Sequence, residues 1–156
     1  MALLTCEHLT VGYEGQPVLR DLSFSVQSGD SLCIVGENGV GKTTLMKTLL
    51  GLLKPLSGSI RFGDGLRHGE IGYLPQQTAI QRDFPATVWE VVLSGCQAAM
   101  GKRLFYGPME KEKALSAMRL LEIEPLKRKG YQTLSGGQQQ RVLLARALCA
   151  AGRLLL

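Results

Sequence analysis

The most constraining feature of this sequence is the glycine-rich stretch from Ser31 to Thr44. It begins with a short apolar run, Leu32 to Val35, which predicts a strand, and continues as Gly-x-x-x-x-Gly-Lys-Thr from Gly36 to Thr43. Apolar residues then recur at helical spacing, which predicts a helix that ends at Gly51. A strand, this loop pattern and then a helix form the context in which the pattern binds phosphate.

The residue types in the loop suit an anionic ligand. Gly36, Gly39 and Gly41 lack a Cβ, so the backbone can curl and its N–H groups can point inward around an anion. The following helix adds its free N-terminal N–H groups and the positive end of its dipole. Lys42 supplies a mobile positive charge for phosphates, and the Thr43 hydroxyl can hold Mg²⁺. The alternative is a glycine-rich turn before an ordinary helix.

Length and composition limit the classes of protein to which this chain can belong. The chain has 156 residues, 45% of them hydrophobic, which is ordinary for one globular domain with its own core. No apolar run approaches the roughly 20 residues of a membrane span, and residues 1–8 lack the basic start of a signal peptide. The four cysteines are far apart, which predicts free buried thiols in a reducing cytosol: Cys6, Cys33, Cys96 and Cys149.

The net charge of +5 includes two basic clusters, at residues 101–103 and 127–129. Solvated surface charge is the default interpretation, and anionic partners such as nucleotide, lipid head groups or nucleic acid remain compatible with it.

Hydrophobic periodicity and capping signals predict the other elements. Strands are expected at residues 3–11, 18–26, 59–62 and 71–74. Helices are expected after Thr87, from Pro108 to about Leu121, and from Ser135 to about Gly152. Thr87 with Glu90, and Ser135 with Gln138, have the spacing of a capping box. The final residues, 153–156, begin another apolar run.

Three separated motifs together resemble those of the ATP-binding cassette (ABC) ATPases. The first is the phosphate-binding loop. The second is Gln76, which follows a predicted strand and resembles the family's Q-loop glutamine. The third is Leu134–Gln138, which matches the family's signature sequence and is the most specific of the three. Tyr13 also lies where the family has an aromatic residue that stacks on adenine.

The resemblance covers essentially the whole chain and implies an α/β fold, the P-loop NTPase fold of the ABC ATPase type. That fold has an N-terminal antiparallel β subdomain, a parallel-sheet core and a helical subdomain that carries the signature. We expect a single domain over residues 1–156. Its β subdomain and P-loop core are expected at about 1–75, the Q-loop and helical subdomain at about 76–136, and the signature helix with the start of the Walker B strand at 137–156.

The resemblance also implies roles for individual residues. Lys42 and Gln76 are the catalytic candidates, and Thr43 and Gln76 are the candidates for holding Mg²⁺. ATP is expected to contact Tyr13, Gly36, Asn38, Gly39, Gly41, Lys42, Thr43, Thr44, Ser135, Gly136, Gly137 and Gln138. Gln139 is a weaker candidate. Three of these candidates have a purely structural alternative. Tyr13 could be an aromatic residue packed on its own turn, Gln76 a polar residue at the end of a strand, and Ser135 only a helix cap.

The family continues from the last apolar strand into an Asp and a Glu, whereas this sequence ends at Leu156. We therefore expect the N-terminal part of a cassette, which by itself binds nucleotide weakly and does not hydrolyse it. We also expect its last strand to lie beside the phosphate-loop strand in a parallel sheet, buried on both faces.

In the family, two cassettes pack head to tail, and each signature closes over the nucleotide of the other. The resemblance therefore implies a homodimer on the cytoplasmic side of a membrane, bound to an integral membrane permease and, indirectly, to a substrate-binding protein. Residues 78–93, with Phe84, Pro85 and Trp89, are the expected permease contact, and core packing is the alternative for Trp89. Residues 71–76 and 84–92 look most like zinc and manganese uptake systems. The alternatives are a non-transport ABC ATPase acting on nucleic acid or the ribosome, and a binding-only cassette.

Overall fold

The computed structural model describes residues 2–63, 65–66, 70–74, 85–101 and 103–156. They form two compact units, Met1–His68 and Gly69–Leu156. The elements in chain order are β1 (Ala2–Tyr13), β2 (Gln16–Gln27), α1 (Lys42–Leu49), β3 (Ser57–Phe62), β4 (Ile71–Gly72), α2 (Val88–Ser94), α3 (Pro108–Leu120), α4 (Gly136–Ala150) and β5 (Leu154–Leu155). Short 3₁₀ turns lie at Gln97–Met100, Glu124–Leu126 and Tyr131–Thr133.

The first unit is built on a three-stranded antiparallel sheet in the order β2-β1-β3. The central strand β1 carries most of the buried side chains of the unit, at Leu3, Leu4, Cys6, Leu9 and Val11. This spacing departs from strict alternation because β-bulges interrupt the pairing of β1 with β2. His8 and Asp21 lie at the bulges with positive φ, and His8 Nδ1 is 2.7 Å from Asp21 Oδ1.

Helix α1 follows the phosphate-binding loop and completes this unit. Leu45 and Leu49 are buried one turn apart, and Gly51 adopts φ 73° just beyond the last turn, as the sequence predicted for its end. The predicted strands at 3–11, 18–26 and 59–62 are confirmed, each extended by a few residues.

The strand predicted for Leu32–Val35 is wrong. Residues 30–37 lie outside any strand, and Leu32 and Val35 are 55% and 87% exposed. A strand in a parallel sheet is held by hydrogen bonds to its neighbours, so an apolar run alone does not form one. Cys33 lies in this segment and is therefore exposed, which also corrects the expectation that all four thiols are buried.

The second unit is a helical cluster formed by α2, α3 and α4. Its core contains Val88, Met118, Ile123, Tyr131 and Val142, each 1% exposed or less. Backbone hydrogen bonds join the start of α2 to the chain that leads into α4, from Val88 N to Lys129 O (3.0 Å) and from Tyr131 N to Ala86 O (2.8 Å).

The capping predictions for these helices are confirmed. The side chains of Thr87 and Glu90 form a reciprocal capping box at α2, and those of Ser135 and Gln138 form one at α4. Pro108 occupies the first turn of α3, where its missing N–H costs nothing.

The expected neighbour of the last strand is also wrong. β5 pairs in parallel with β4, through Ile71 with Leu154 and Gly72 with Leu155. Leu154 is partly buried and Leu155 is 41% exposed, so this strand is not buried on both faces. Across the described residues, every helix falls short of the length and apolar character that a bilayer span requires.

Candidate nucleotide-binding site

Two glycines give the phosphate-binding loop its shape. Gly39 has φ 86° and Gly41 has φ 110°, conformations that a residue with a side chain rarely adopts. At Gly41 a Cβ would also lie 2.6 Å from Cγ1 of Val18 and 2.9 Å from Cγ of Leu19, both on β2. Glycine is therefore required at position 41 both for backbone conformation and for close packing on the sheet.

Lys42 folds back across this loop. Its ammonium group donates hydrogen bonds to the carbonyl oxygens of Gly36 (2.7 Å) and Glu37 (2.6 Å). Two uncharged carbonyl acceptors therefore hold the ammonium charge of Lys42 against the loop. Phosphate oxygens would be stronger acceptors for the same donors, since charge-assisted hydrogen bonds are roughly twice as strong as neutral ones.

The N-terminus of α1 opens into the same loop. The first helical bond runs from Leu45 N to Gly41 O (2.9 Å), so the N–H groups before it have no acceptor within the helix. Thr43 is exposed, whereas Thr44 is 5% exposed and its carbonyl accepts from the Thr48 hydroxyl at 2.9 Å. Thr43 is therefore the threonine suited to a metal ion in solvent, and the donors around it suit a triphosphate.

Tyr13 lies beside this helix at the end of β1. Its ring is 43% exposed, and the ammonium group of Lys47 on α1 is 6.0 Å from the ring centroid. Val18, which contacts Gly41, is also exposed, at 41%. Strand periodicity predicts the strand that contains Val18 but does not predict that Val18 contacts the loop. The first unit thus holds Tyr13 and the phosphate-binding loop close to the same helix.

The signature forms the N-terminus of α4 in the second unit. The Ser135 hydroxyl accepts from Gln138 N (3.3 Å), and Gln138 Oε1 accepts from Ser135 N (3.1 Å). Ser135, Gly136 and Gly137 are exposed, and a Cβ at either glycine would meet no atom within 4 Å. This helix start is therefore capped from within and open toward solvent, where an anion can approach its N–H groups.

The remaining candidates differ in accessibility. Asn38 lies exposed in the turn of the phosphate-binding loop. Gln139 is 4% exposed and its amide donates to Tyr131 O at 3.2 Å, so its side chain is directed into the unit. Gln76, Phe84 and the rest of residues 75–84 lie outside the described residues.

The comparisons with known proteins identify the family of the chain. The ABC transporter family model matches residues 19–156. The zinc transport system ATP-binding protein TroB of Treponema pallidum is 41% identical over 145 residues, which cover 91% of this chain and 54% of the relative. The manganese transport system ATP-binding protein MntB of Bacillus subtilis is 40% identical over 146 residues, covering 92% and 58%.

A solved ABC transporter in an inward-facing conformation superposes with a TM-score of 0.82 at 30% identity, covering 96% of this chain and 56% of that one. The chain thus spans between half and two thirds of the length of these relatives. With a family match over residues 19–156 and relatives near 40% identity, the chain belongs to the ABC transporter family of ATP-binding proteins.

Proposed function

We propose that this chain provides the nucleotide-binding part of an ATPase subunit that drives transport across a membrane. The observation that carries the proposal is the phosphate-binding loop, in which Lys42 is poised over two loop carbonyls at the N-terminus of α1. The donors are those of a nucleoside triphosphate site.

The chain's own residues divide the work of binding. Lys42 exchanges the carbonyls of Gly36 and Glu37 for phosphate oxygens, while the N–H groups of the loop and of α1 surround the phosphates. The exposed ring of Tyr13 stacks on the base. The Thr43 hydroxyl, and Gln76 by the resemblance, hold Mg²⁺. When bound, this ion neutralises charge on the phosphates.

The signature acts on a second copy of the chain. Ser135, Gly136 and Gly137 present a second set of helix N-terminal donors, which the open space around both glycines leaves accessible. One nucleotide held by the loop of one copy and the signature of another joins the two copies, and hydrolysis of that nucleotide releases them.

The transported substrate is a divalent metal ion, zinc or manganese. This rests on the relatives, because TroB is named for zinc transport and MntB for manganese transport. The partners are then an integral membrane permease and, indirectly, a substrate-binding protein, with this subunit on the cytoplasmic side. Because these relatives are named as transport proteins, they favour transport over the nucleic-acid alternative.

Nucleotide binding is tested with Lys42→Ala, measured by calorimetric titration with MgATP. Loss of one charge-assisted donor to phosphate is expected to weaken binding about tenfold to a hundredfold. Lys54→Ala is the control, since Lys54 is an exposed lysine outside the loop. Equal affinity of Lys42→Ala and the wild type would contradict the proposed site.

The role of the signature is tested with Gly136→Asp. A Cβ at this position would meet no atom within 4 Å, and the carboxylate beyond it puts a negative charge where the partner's phosphate is expected. Binding of MgATP should be unchanged, and ATP-dependent association, measured by analytical ultracentrifugation, should be lost. Gly136→Ala is the neutral control.

The substrate is tested in cells by deleting the gene and measuring accumulation of zinc and manganese. Wild-type protein should restore uptake of one of these ions and Lys42→Ala should not. Restoration of uptake by Lys42→Ala would show that uptake does not depend on nucleotide binding at this site.

A further inference from the structure

The side chain of Tyr13 is held at two points, and the first is its backbone. Tyr13 is the last residue of β1 and pairs with Gln16 at the start of β2. The two residues between them, Glu14 and Gly15, have φ 49° and 81°, which is the conformation of a tight two-residue hairpin turn. At Gly12 a Cβ would collide with Gln16 O, so the two strands also approach closely here. The backbone that carries the ring is therefore fixed, whereas the ring itself is 43% exposed.

The second point is Lys47 on α1. Its ammonium group lies over the Tyr13 ring, 6.0 Å from the centroid, at the outer limit of a cation–π contact. Lys47 is partly buried, and no carboxylate among the described residues lies within ion-pair distance of its ammonium group. In the part of the chain that the structure describes, Lys47 is therefore the cation placed over this ring, and its charge is not taken up by an acid.

The position of Lys47 on α1 connects this contact with the phosphate-binding loop. Lys47 lies four residues after Thr43, so the two side chains share one face of the helix. Long side chains of a helix lean toward its N-terminus, which here is the end that opens into the loop. One face of α1 thus carries both the threonine suited to a metal ion and the lysine that contacts the ring.

We propose that Lys47 is a positioning residue for the nucleotide base. Its cation–π contact holds the Tyr13 ring in the orientation in which a base stacks on the ring's other face. An exposed ring loses side-chain freedom when a base stacks on it, and a ring that is already oriented loses less. The inference rests on the proposed function, because Lys47 can have this role only if the loop and Tyr13 bind one nucleotide.

Calorimetric titration of the whole protein with MgATP and with magnesium tripolyphosphate tests this role, because only the first ligand carries a base. Lys47→Met removes the charge and keeps most of the length of the side chain. It should weaken binding of MgATP about twofold to fivefold, the range of an exposed cation–π contact, and leave the affinity for tripolyphosphate unchanged. Lys47→Arg should bind MgATP like the wild type, because a guanidinium also stacks on aromatic rings.

A double-mutant cycle with Tyr13→Ala tests whether Lys47 acts through the ring. In the Tyr13→Ala background, Lys47→Met should cause no further loss of MgATP affinity, since the ring on which Lys47 acts is absent. Lys54→Met is the matched control, because Lys54 is an exposed lysine outside the loop and α1. It should bind both ligands like the wild type. Circular dichroism checks that every variant folds.

The inference would be overturned by a Lys47→Met variant that binds MgATP like the wild type, or by an undiminished loss in the Tyr13→Ala background. Equal weakening of both ligands would also overturn it and would assign Lys47 to the phosphates. A Lys47→Arg variant as weak as Lys47→Met would exclude the charge as the cause. In all these cases Lys42→Ala still weakens binding of both ligands if the proposed function is correct. If Lys42→Ala changes neither affinity, the proposed function fails and the role of Lys47 fails with it.

Discussion

At the scale of single residues, position 41 shows how one glycine can serve both conformation and packing. Its φ of 110° favours glycine, and the space where a Cβ would lie is filled by Val18 and Leu19. Gly136 is different, because it lies in the first turn of α4 and nothing surrounds its Cβ position. The two glycines belong to equally recognisable motifs, but only the first is sterically required by its own unit.

We therefore expect Gly41→Ala to lower the free energy of unfolding by about 2–4 kcal/mol, from backbone strain and overpacking against Val18. Gly136→Ala should be neutral or slightly stabilising, since alanine favours a helix over glycine. Urea unfolding followed by circular dichroism measures both. Equal unfolding midpoints for the two variants would show that the loop relaxes around the new methyl group.

At the scale of secondary structure, the elements whose sequence signals lie within a few residues were predicted correctly. The capping boxes at Thr87 and Ser135 were found from spacing alone, because both partners lie within one helical turn. The run Leu32–Val35 was predicted wrongly, because a strand depends on partners distant in sequence. The buried carboxylate of Glu110 accepts hydrogen bonds from Arg103 (2.5 Å) and from Gly107 N (2.8 Å), and this brace lies between these two cases. The spacing of three residues between Gly107 and Glu110 can be read from the sequence. The hydrogen bond from Arg103 cannot, because it depends on the path of the loop that leads into α3.

The brace predicts a pH dependence. The hydrogen bond from Arg103, with those from backbone N–H groups, lowers the pKa of Glu110 below its ordinary value of 4.5. The ionised form therefore stabilises the fold above pH 4.5, and this contribution is lost as the pH falls through the lowered pKa. Glu110→Gln should reduce stability at pH 7 and should lose less stability than the wild type as the pH falls below 4.5.

Urea unfolding midpoints at a series of pH values measure this effect. Glu112→Gln on the same helix is the control, since Glu112 is 65% exposed and lies 3.5 Å from Arg119. A pH profile of Glu110→Gln that matches the wild type would contradict the role of the brace.

At the scale of the whole molecule, the burial of the cysteines shows which parts of the chain solvent does not reach. Burial raises the pKa of Cys6 to about 11 and that of Cys149 to about 12. Burial also raises the pKa of Cys96, whose thiol donates a hydrogen bond to Glu110 O at 3.6 Å. Cys33 is the exposed one of the four.

We expect iodoacetamide at pH 8 to modify Cys33 within minutes and the other three thiols only on unfolding. Thiolate is the reactive form, and it is scarce at pH 8 in a group with a raised pKa. Mass spectrometry of digested protein identifies the sites, and Cys33→Ser should abolish the fast reaction. Rapid labelling at Cys6, which is central to β1, would mean that the first unit opens readily.

The sequence by itself determined the family, the phosphate-binding loop, the signature and the capped helices, because each depends on residues close together in the chain. Only the tertiary structure decided that Gly41 packs on β2, that Lys42 bonds to the loop carbonyls and that Gln139 is directed inward. The same holds for the pairing of β5 with β4 and for the exposure of Leu104 and Phe105. The physical reason is that contacts and burial depend on which distant segments meet, whereas caps, turns and helix periodicity depend on neighbours within one or two turns.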